Sequence, residues 1–159
     1  MDVIIFDLDG VICDNSHRSH LLPPREVQHI NESWHEFVAE CVNDKAIAAG
    51  VEFYKAMNKA HYTVILTSRQ ENFRESTVNW LSDNVGREVP STELFMRPHD
   101  VSCPPSQYKA DVVRKILAGG HNILFAVDDD PSVCAALNAL GVHTFIPSTI
   151  CSSLSGVAK

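Results

Sequence analysis

Residues 3–10 read VIIFDLDG, so that four apolar residues run directly into two acids and a glycine. A short apolar run without polar alternation is typical of a strand that is covered on both faces of a sheet. Comparable runs follow at Tyr62–Leu66, Leu94–Met96, Ile123–Val127 and Val142–Ile146. Together with Val3–Phe6 they predict a mainly parallel sheet of five strands.

Segments with helical periodicity separate these runs. The apolar spacing predicts helices over Asn31–Cys41, Val51–Ala60, Asn72–Val85, Gln107–Ala118 and Pro131–Leu140. We expect Asn31 or Ser33, Ser106 and Asp130 to cap three of them. Alternation of strands and helices along the whole chain predicts an α/β protein with a doubly wound, three-layer, Rossmann-like fold.

Length and composition indicate how the chain is divided into a domain, an insert and a tail. The 159 residues, 45% of them hydrophobic, suit one domain, which we place at residues 1–147. Residues 13–44 are irregular and too short for a large cap, so we expect a minimal cap in the form of a small lid, and residues 148–159 are expected to be a tail.

Charge and cysteine content exclude some classes of protein. A net charge of −7 disfavours electrostatic wrapping of extended duplex nucleic acid. Five scattered cysteines without a CxxC pair argue against a disulfide framework. No apolar run is long enough to span a membrane, and the first residues lack a basic segment, so we expect a cytoplasmic protein without a membrane partner. The oligomeric state is not determined by the sequence.

Acids follow two of the predicted strands directly. Asp7 and Asp9 come after the first strand, and Asp128 and Asp129 after the fourth. Ligands of open α/β sheets bind beyond the carboxyl ends of strands, where these acids should meet. A surface turn explains the first pair equally well. Two strand ends that supply carboxylates together, however, favour a Mg²⁺ site.

Hydroxyls and cations provide a second signal. Thr67 and Ser68 follow the second predicted strand, and Lys109 lies early in the helix that precedes the acid triplet. Hydroxyls, free amides and an ammonium can neutralise a phosphate. Each residue taken singly is more often a cap or a solvated side chain.

The order of these elements resembles that of the haloacid-dehalogenase-like (HAD) phosphohydrolase superfamily. Its four motifs correspond to Asp7-Leu8-Asp9-Gly10, Thr67, Lys109 and Asp128-Asp129. Within the superfamily the chain looks most like the 3′-phosphatase domain of phage polynucleotide kinase–phosphatase and related stand-alone phage proteins. The segments that carry this closer resemblance are Asp14–Arg18, Cys41–Lys45, Thr67–Glu71, Leu94–Pro98 and Lys109–Val113. Ser68 departs from the pattern, since close relatives usually carry Gly there.

The resemblance implies a mechanism. Asp7 is then the nucleophile that forms an aspartyl-phosphate, and Asp9 is the general acid and base. It implies that Mg²⁺ is held by Asp7, the backbone carbonyl of Asp9, and Asp128, with Asp129 a direct or indirect partner.

The same resemblance assigns Thr67, Ser68 and Lys109 to the transferred phosphoryl group. An acid at position 9 supports phosphate-ester chemistry, because members of the superfamily that act on carbon–halogen or phosphonate bonds lack it.

The substrate remains the most open question. Arg18, Arg69 and Arg97, with Arg74, are candidates for contacts to further phosphates, and Trp34 either stacks on a base or packs in the core. We expect a phosphorylated nucleotide or nucleic-acid end, either a polynucleotide 3′-phosphate or a nucleoside monophosphate. The alternatives are a phosphatase for another small metabolite and a non-catalytic binding module with the same fold.

Overall fold

The computed structural model describes residues 1–147. Seven strands are found in that range: β1 (Asp2–Phe6), β2 (Cys13–Asp14), β3 (Lys45–Ala46), β4 (Tyr62–Gln70), β5 (Leu94–Arg97), β6 (Asn122–Val127) and β7 (Thr144–Phe145). The α-helices are α1 (His35–Ala39), α2 (Ala48–Ala60), α3 (Arg74–Val85), α4 (Pro105–Ala118) and α5 (Pro131–Asn138).

Five parallel strands form the central sheet, in the order β5-β4-β1-β6-β7. β1 lies in the middle, with Ile5 opposite Val64 of β4 on one side and opposite Ala126 of β6 on the other. The chain builds outward from β1 first in one direction and then in the other. This change of direction places a topological switch point, the usual ligand site of doubly wound sheets, between β1 and β6.

Both faces of the sheet are buried because alternate residues of β1 point to opposite sides. Ile4 and Phe6 belong to a core cluster completed by α2 and α3, whereas Val3 and Ile5 belong to a cluster completed by α4 and α5. The result is three layers of helix, sheet and helix. The α/β, three-layer prediction with five parallel strands is therefore confirmed.

A small antiparallel ribbon interrupts the chain after β1. Cys13 of β2 pairs with Ala46 of β3, so that residues 15–44 leave and rejoin the domain at one place. This insert consists of short helical turns and α1. The predicted role of residues 13–44 as a lid stays a prediction, and the predicted tail at 148–159 lies outside the described residues.

Some local predictions were wrong. Ser106 does not cap α4: the helix begins at Pro105, whose fixed φ suits the first helical turn. Asn31 caps no helix either, because its side-chain amide donates to backbone carbonyls of the 98–104 loop. Asp130 does cap α5, accepting from the backbone N–H of Ser132 at 2.8 Å.

No helix within residues 1–147 combines the length and the apolar character needed to cross a membrane.

Candidate active site

Asp7 leaves β1 at the carboxyl edge of the sheet. Its side chain is buried, and its Oδ1 accepts the backbone N–H of Leu8 at 2.8 Å. Gly10 then turns the chain with φ of 79°, and a Cβ there would lie 2.1 Å from Oδ2 of Asp129. Glycine is thus required at this position for two reasons, the positive φ and the lack of space for a Cβ. It lets the loop after β1 lie against the loop after β6.

Three carboxylates gather where β1 and β6 end. One oxygen from each of Asp7, Asp128 and Asp129 lies within 4.8 Å of the other two. Lys109 of α4 places its Nζ 2.8 Å from Oδ1 of Asp7 and 2.7 Å from Oδ2 of Asp128. The structure therefore brings together the carboxylates predicted from two separate strands and the lysine predicted from the intervening helix.

Burial and the repulsion between the carboxylates shift the pKa values of these groups. Burial raises the pKa of Asp7 well above its ordinary value, although Lys109 opposes this change. Burial and then the charge of Asp128 raise the pKa of Asp129 to about 6. For Lys109, burial acts to lower the pKa, but Asp7 and Asp128 outweigh it, so that its pKa is raised. The lysine thus stays charged between carboxylates that repel one another.

The donor set fits a divalent cation. When all three carboxylates are ionised, they and the one ammonium leave two negative charges in a largely buried cluster, which a divalent cation would neutralise. Carboxylate oxygens are hard ligands of the kind that Mg²⁺ takes. The side chain of Asp9 pairs with Arg18 and Arg69. Its backbone carbonyl is therefore the group that Asp9 could offer to the cation.

Thr67 and Ser68 lie within β4, which runs to Gln70 rather than ending at Leu66. Thr67 is buried, and its Oγ1 accepts the backbone N–H of Arg69 at 3.2 Å. The Oγ of Ser68 is buried without a hydrogen-bond partner among the described residues. No residue other than glycine has a positive φ in the described chain, so Ser68 fits where relatives carry Gly.

Asp9 is held by two arginines. Arg69 donates to both of its oxygens, at 2.9 Å from Nε and 2.8 Å from Nη2, and Nη2 of Arg18 lies 2.5 Å from Oδ1. Both guanidinium groups also bind Asp44, which closes a network of two arginines and two carboxylates. His17 adds a contact to Asp44 at 2.8 Å.

This network sets the charge state of Asp9. Burial acts to raise its pKa, but Arg69 and then Arg18 outweigh burial and hold the pKa well below its usual range. In this arrangement Asp9 is therefore ionised at neutral pH and has no proton to donate. To donate a proton to a leaving group, it has to give up part of its contact with the arginines.

Arg18 and Arg69 border the cavity that extends toward the insert, and their predicted role at the substrate stays a prediction. Their side chains are 0% and 2% exposed, and each binds two carboxylates of the protein itself. The charges of both guanidinium groups are therefore already compensated within the protein. Arg74 is likewise paired, with Glu71 and with the backbone carbonyl of Leu94. Arg97 is the exception among the four, since it has no carboxylate partner within residues 1–147.

Two adjoining cavities open at this edge of the sheet. The first is bordered by the predicted chemistry-bearing residues Asp7, Thr67, Lys109 and Asp129. The second extends toward the insert, where Trp34, Phe37 and Arg97 border it. The residues common to both are Asp9, Asn15, Ser68 and Pro105. The cavities are therefore parts of one cleft.

Two residues of this region were not identified by the sequence interpretation. Asp44 is buried and binds both arginines, and its only signal was its place in a segment shared with relatives. Asn31 was interpreted as a helix cap. Its side-chain amide instead donates to the backbone carbonyls of His99 and Val101 and so connects the insert to that loop. The backbone carbonyl of Asn31 accepts a hydrogen bond from Nε2 of Gln70.

Comparisons with known proteins agree with this architecture. The family model of the polynucleotide kinase PNKP phosphatase domain matches residues 1–146. Over 143 residues the chain is 24% identical to a protein of Autographa californica nuclear polyhedrosis virus assigned as a bifunctional polynucleotide kinase/RNA ligase. That match covers 89% of this chain and 18% of the viral protein.

Solved structures share the fold. A chain of the Pnkp1/Rnl/Hen1 complex superposes with a TM-score of 0.69 at 18% identity, over 91% of this chain and 45% of that one. A HAD family enzyme of Bacteroides thetaiotaomicron, solved with magnesium and inorganic phosphate, gives a TM-score of 0.53 at 12% identity, over 92% and 94% of the two chains. The chain thus spans less than half the length of the first two relatives.

Proposed function

The chain belongs to the family of polynucleotide kinase PNKP phosphatase domains, which makes it a phosphatase of the HAD superfamily, and on this premise we propose its substrate and mechanism. We propose a Mg²⁺-dependent phosphomonoesterase that removes the 3′-phosphate from a polynucleotide end. The observation that carries the mechanism is the pairing of Asp7 with Lys109 beside Asp128 at the switch point of the sheet.

Asp7 is the nucleophile in this proposal. Its Oδ1 is bound by Leu8 N–H and by Lys109, which leaves the second oxygen of the carboxylate for attack on phosphorus. The phosphoryl group moves from the substrate oxygen to Asp7, and water later releases it as inorganic phosphate. Splitting the hydrolysis into two displacements replaces one high barrier by two lower ones.

The surrounding residues stabilise charge on the phosphoryl group. Lys109 supplies a buried ammonium whose raised pKa keeps it protonated. The Thr67 hydroxyl and the Ser68 hydroxyl and backbone N–H supply hydrogen bonds from the lining of the same cavity. Asp7, Asp128 and the Asp9 carbonyl, with Asp129 close by, would hold Mg²⁺, which would supply Lewis-acid stabilisation of the phosphoryl oxygens when bound.

Asp9 acts as general acid and then as general base. It lies at the junction of the two cavities, where a leaving oxygen is within reach. The Arg18–Asp9 and Arg69–Asp9 contacts keep it ionised at rest, the state in which it can accept a proton from the hydrolytic water. Release from these contacts raises its pKa toward that of an acid able to protonate the leaving group.

We expect binding of Mg²⁺ to stabilise the fold. At a Mg²⁺ concentration a hundred times its Kd, the stabilisation is about 2.7 kcal/mol. For a chain of this size it raises Tm by roughly 5–10 °C. Thermal unfolding in MgCl₂ against NaCl of equal ionic strength measures the shift. The Asp129→Asn variant, altered at the partly exposed acid of the cluster, should show a smaller one. Equal Tm in the two salts would contradict the metal site.

A comparison of substrates tests the proposed specificity. We expect release of phosphate from a 3′-phosphorylated oligonucleotide at least about tenfold faster than from its 5′-phosphorylated counterpart or from a sugar phosphate, because one pocket contact of about 1.4 kcal/mol is worth that factor. Phosphate release with MgCl₂ present measures each rate. Equal rates on all substrates would favour the small-metabolite phosphatase. Absence of turnover on every one would favour a binding module.

A further inference from the structure

Arg97 carries a buried charge that no carboxylate within residues 1–147 neutralises. It ends β5, and its side chain is buried. Its Nη1 donates to the backbone carbonyl of Cys103 at 3.2 Å and approaches Oδ1 of Asn31 at 3.4 Å, and the guanidinium lies 5.6 Å from the centre of the Tyr108 ring. Its Nε is buried without a hydrogen-bond partner among residues 1–147. All of these neighbours are neutral.

The comparison with Arg18 and Arg69 makes this arrangement informative. Contacts with Asp44 and Asp9 outweigh the effect of burial on those two arginines and raise their pKa values. Burial instead lowers the pKa of Arg97, because no carboxylate in the described part of the chain opposes it. A buried cation without a counter-charge is costly, and an anion that binds beside Arg97 would remove this cost.

The position of Arg97 indicates which anion. It borders the cavity next to the candidate active site, and that cavity shares Asp9 and Ser68 with the cavity of Asp7. A substrate whose reacting phosphate lies at Asp7 therefore extends past Asp9 toward Arg97. The residues along this path also suit a nucleoside, since they include an aromatic ring and the amide side chains of Gln28 and Gln70.

Trp34 is the ring available for such a nucleoside. Its Nε1 donates to the backbone carbonyl of Gln28 at 2.9 Å, which fixes the orientation of the indole, and the side chain remains partly exposed. The neighbouring Phe37 is less available, because the guanidinium of Arg18 lies over its ring at 4.1 Å. A fixed, partly exposed indole is a surface on which a base can stack.

We propose that Arg97 binds a second phosphate of the substrate, the one on the 5′ side of the terminal nucleoside, while the 3′-phosphate reacts at Asp7. This inference rests on the proposed function and narrows its substrate class. Polynucleotide 3′ ends and nucleoside 3′,5′-bisphosphates are the substrates, and a nucleoside 3′-monophosphate, which lacks the second phosphate, is a poor one.

The wild-type protein provides the first test, with MgCl₂ present. A charge-assisted contact predicts kcat/KM for a nucleoside 3′,5′-bisphosphate about 10- to 100-fold above that for the 3′-monophosphate of the same nucleoside. The difference should lie mainly in KM, since the second phosphate takes no part in bond cleavage. Equal values for the two substrates would overturn the inference, whereas absence of phosphate release from both would overturn the proposed function.

Variants assign the preference to the residue. We expect Arg97→Gln to bring the ratio of the two kcat/KM values close to one and Arg97→Lys, which keeps a charge, to retain part of it. Arg87→Lys is the matched control: Arg87 is also partly buried, but it pairs with Glu93 and Tyr54, away from both cavities, and should leave the ratio unchanged. A full preference in folded Arg97→Gln would overturn the assignment to Arg97.

Discussion

Replacing Asp7 by Asn is expected to reduce phosphate release by a factor on the order of 1,000 or more. The amide keeps the shape of the carboxylate but cannot attack phosphorus, so that the covalent step is lost while binding is largely preserved. Lys109 retains its contact with Asp128, and one of three mutually repelling acids is removed. The fold should therefore persist. Release of phosphate from an aryl phosphate with MgCl₂ measures the effect on the chemical step.

A matched control separates the role of Asp7 from a general effect of lost charge. Asp111 lies on α4 close to Lys109 in sequence, but it is exposed and pairs with Arg114. Asp111→Asn should keep the wild-type rate, because exposed pairs contribute about 0–1 kcal/mol to stability and this one is remote from the cleft. An Asp7→Asn protein that unfolds at the wild-type temperature and keeps more than about a tenth of the activity would contradict the nucleophile assignment.

The sequence predicts the sheet and the acids well because both depend on local patterns. Ile4 and Ile5 lie in an uninterrupted apolar run that ends at Phe6, and the residue after the run is the acid Asp7. The strand and the acid at its end are therefore identified together. The same pattern at the end of β6 locates Asp128. Parallel strands then oblige the two ends to meet at one edge of the sheet.

Pairing across long separations is what the sequence does not reveal. Asp44 is 26 residues from Arg18 and 25 from Arg69, and nothing in the spacing indicates that their side chains meet. Arginines without a visible partner were therefore interpreted as phosphate ligands. Only the folded insert shows that two of them bind Asp9 and Asp44, and that Arg97 has no carboxylate partner among the residues that the structure describes.

The end of β4 also could not be predicted from local sequence patterns. β4 continues through Thr67 and Ser68 because Gln70 still pairs with Arg97 of β5, although pairing shifts after Leu66. Polar residues in a strand resemble a turn when the sequence is considered alone. Here the neighbouring strand and the burial of Thr67 decide the conformation, so tertiary contacts outweigh local preference.

The second large effect is expected from Arg69→Met. Arg69 binds Asp9 and Asp44 simultaneously, and its side chain is 2% exposed. Removing the guanidinium leaves the buried carboxylate of Asp44 and the partly buried one of Asp9 to share Arg18. Breaking a buried ion pair in this way destabilises a protein by about 3–5 kcal/mol. For a domain of this length the loss lowers Tm by roughly 6–20 °C. Phosphate release should fall as well, because Asp9 is no longer held at the junction of the two cavities.

A double-mutant cycle distinguishes a lost ion-pair network from lost packing. Methionine keeps most of the arginine volume, and in the Asp44→Asn background one of the carboxylates that Arg69 neutralises is already absent. Arg69→Met should therefore destabilise that background less, with an interaction energy of about 0.5–3 kcal/mol in urea unfolding. Arg114→Met, which removes an exposed arginine, should change stability by no more than about 0.5 kcal/mol. Additive effects of Arg69→Met and Asp44→Asn would mean that the guanidinium stabilises the protein through its packing. Neutralisation of the Asp9 and Asp44 charges would then not explain why Arg69 is buried.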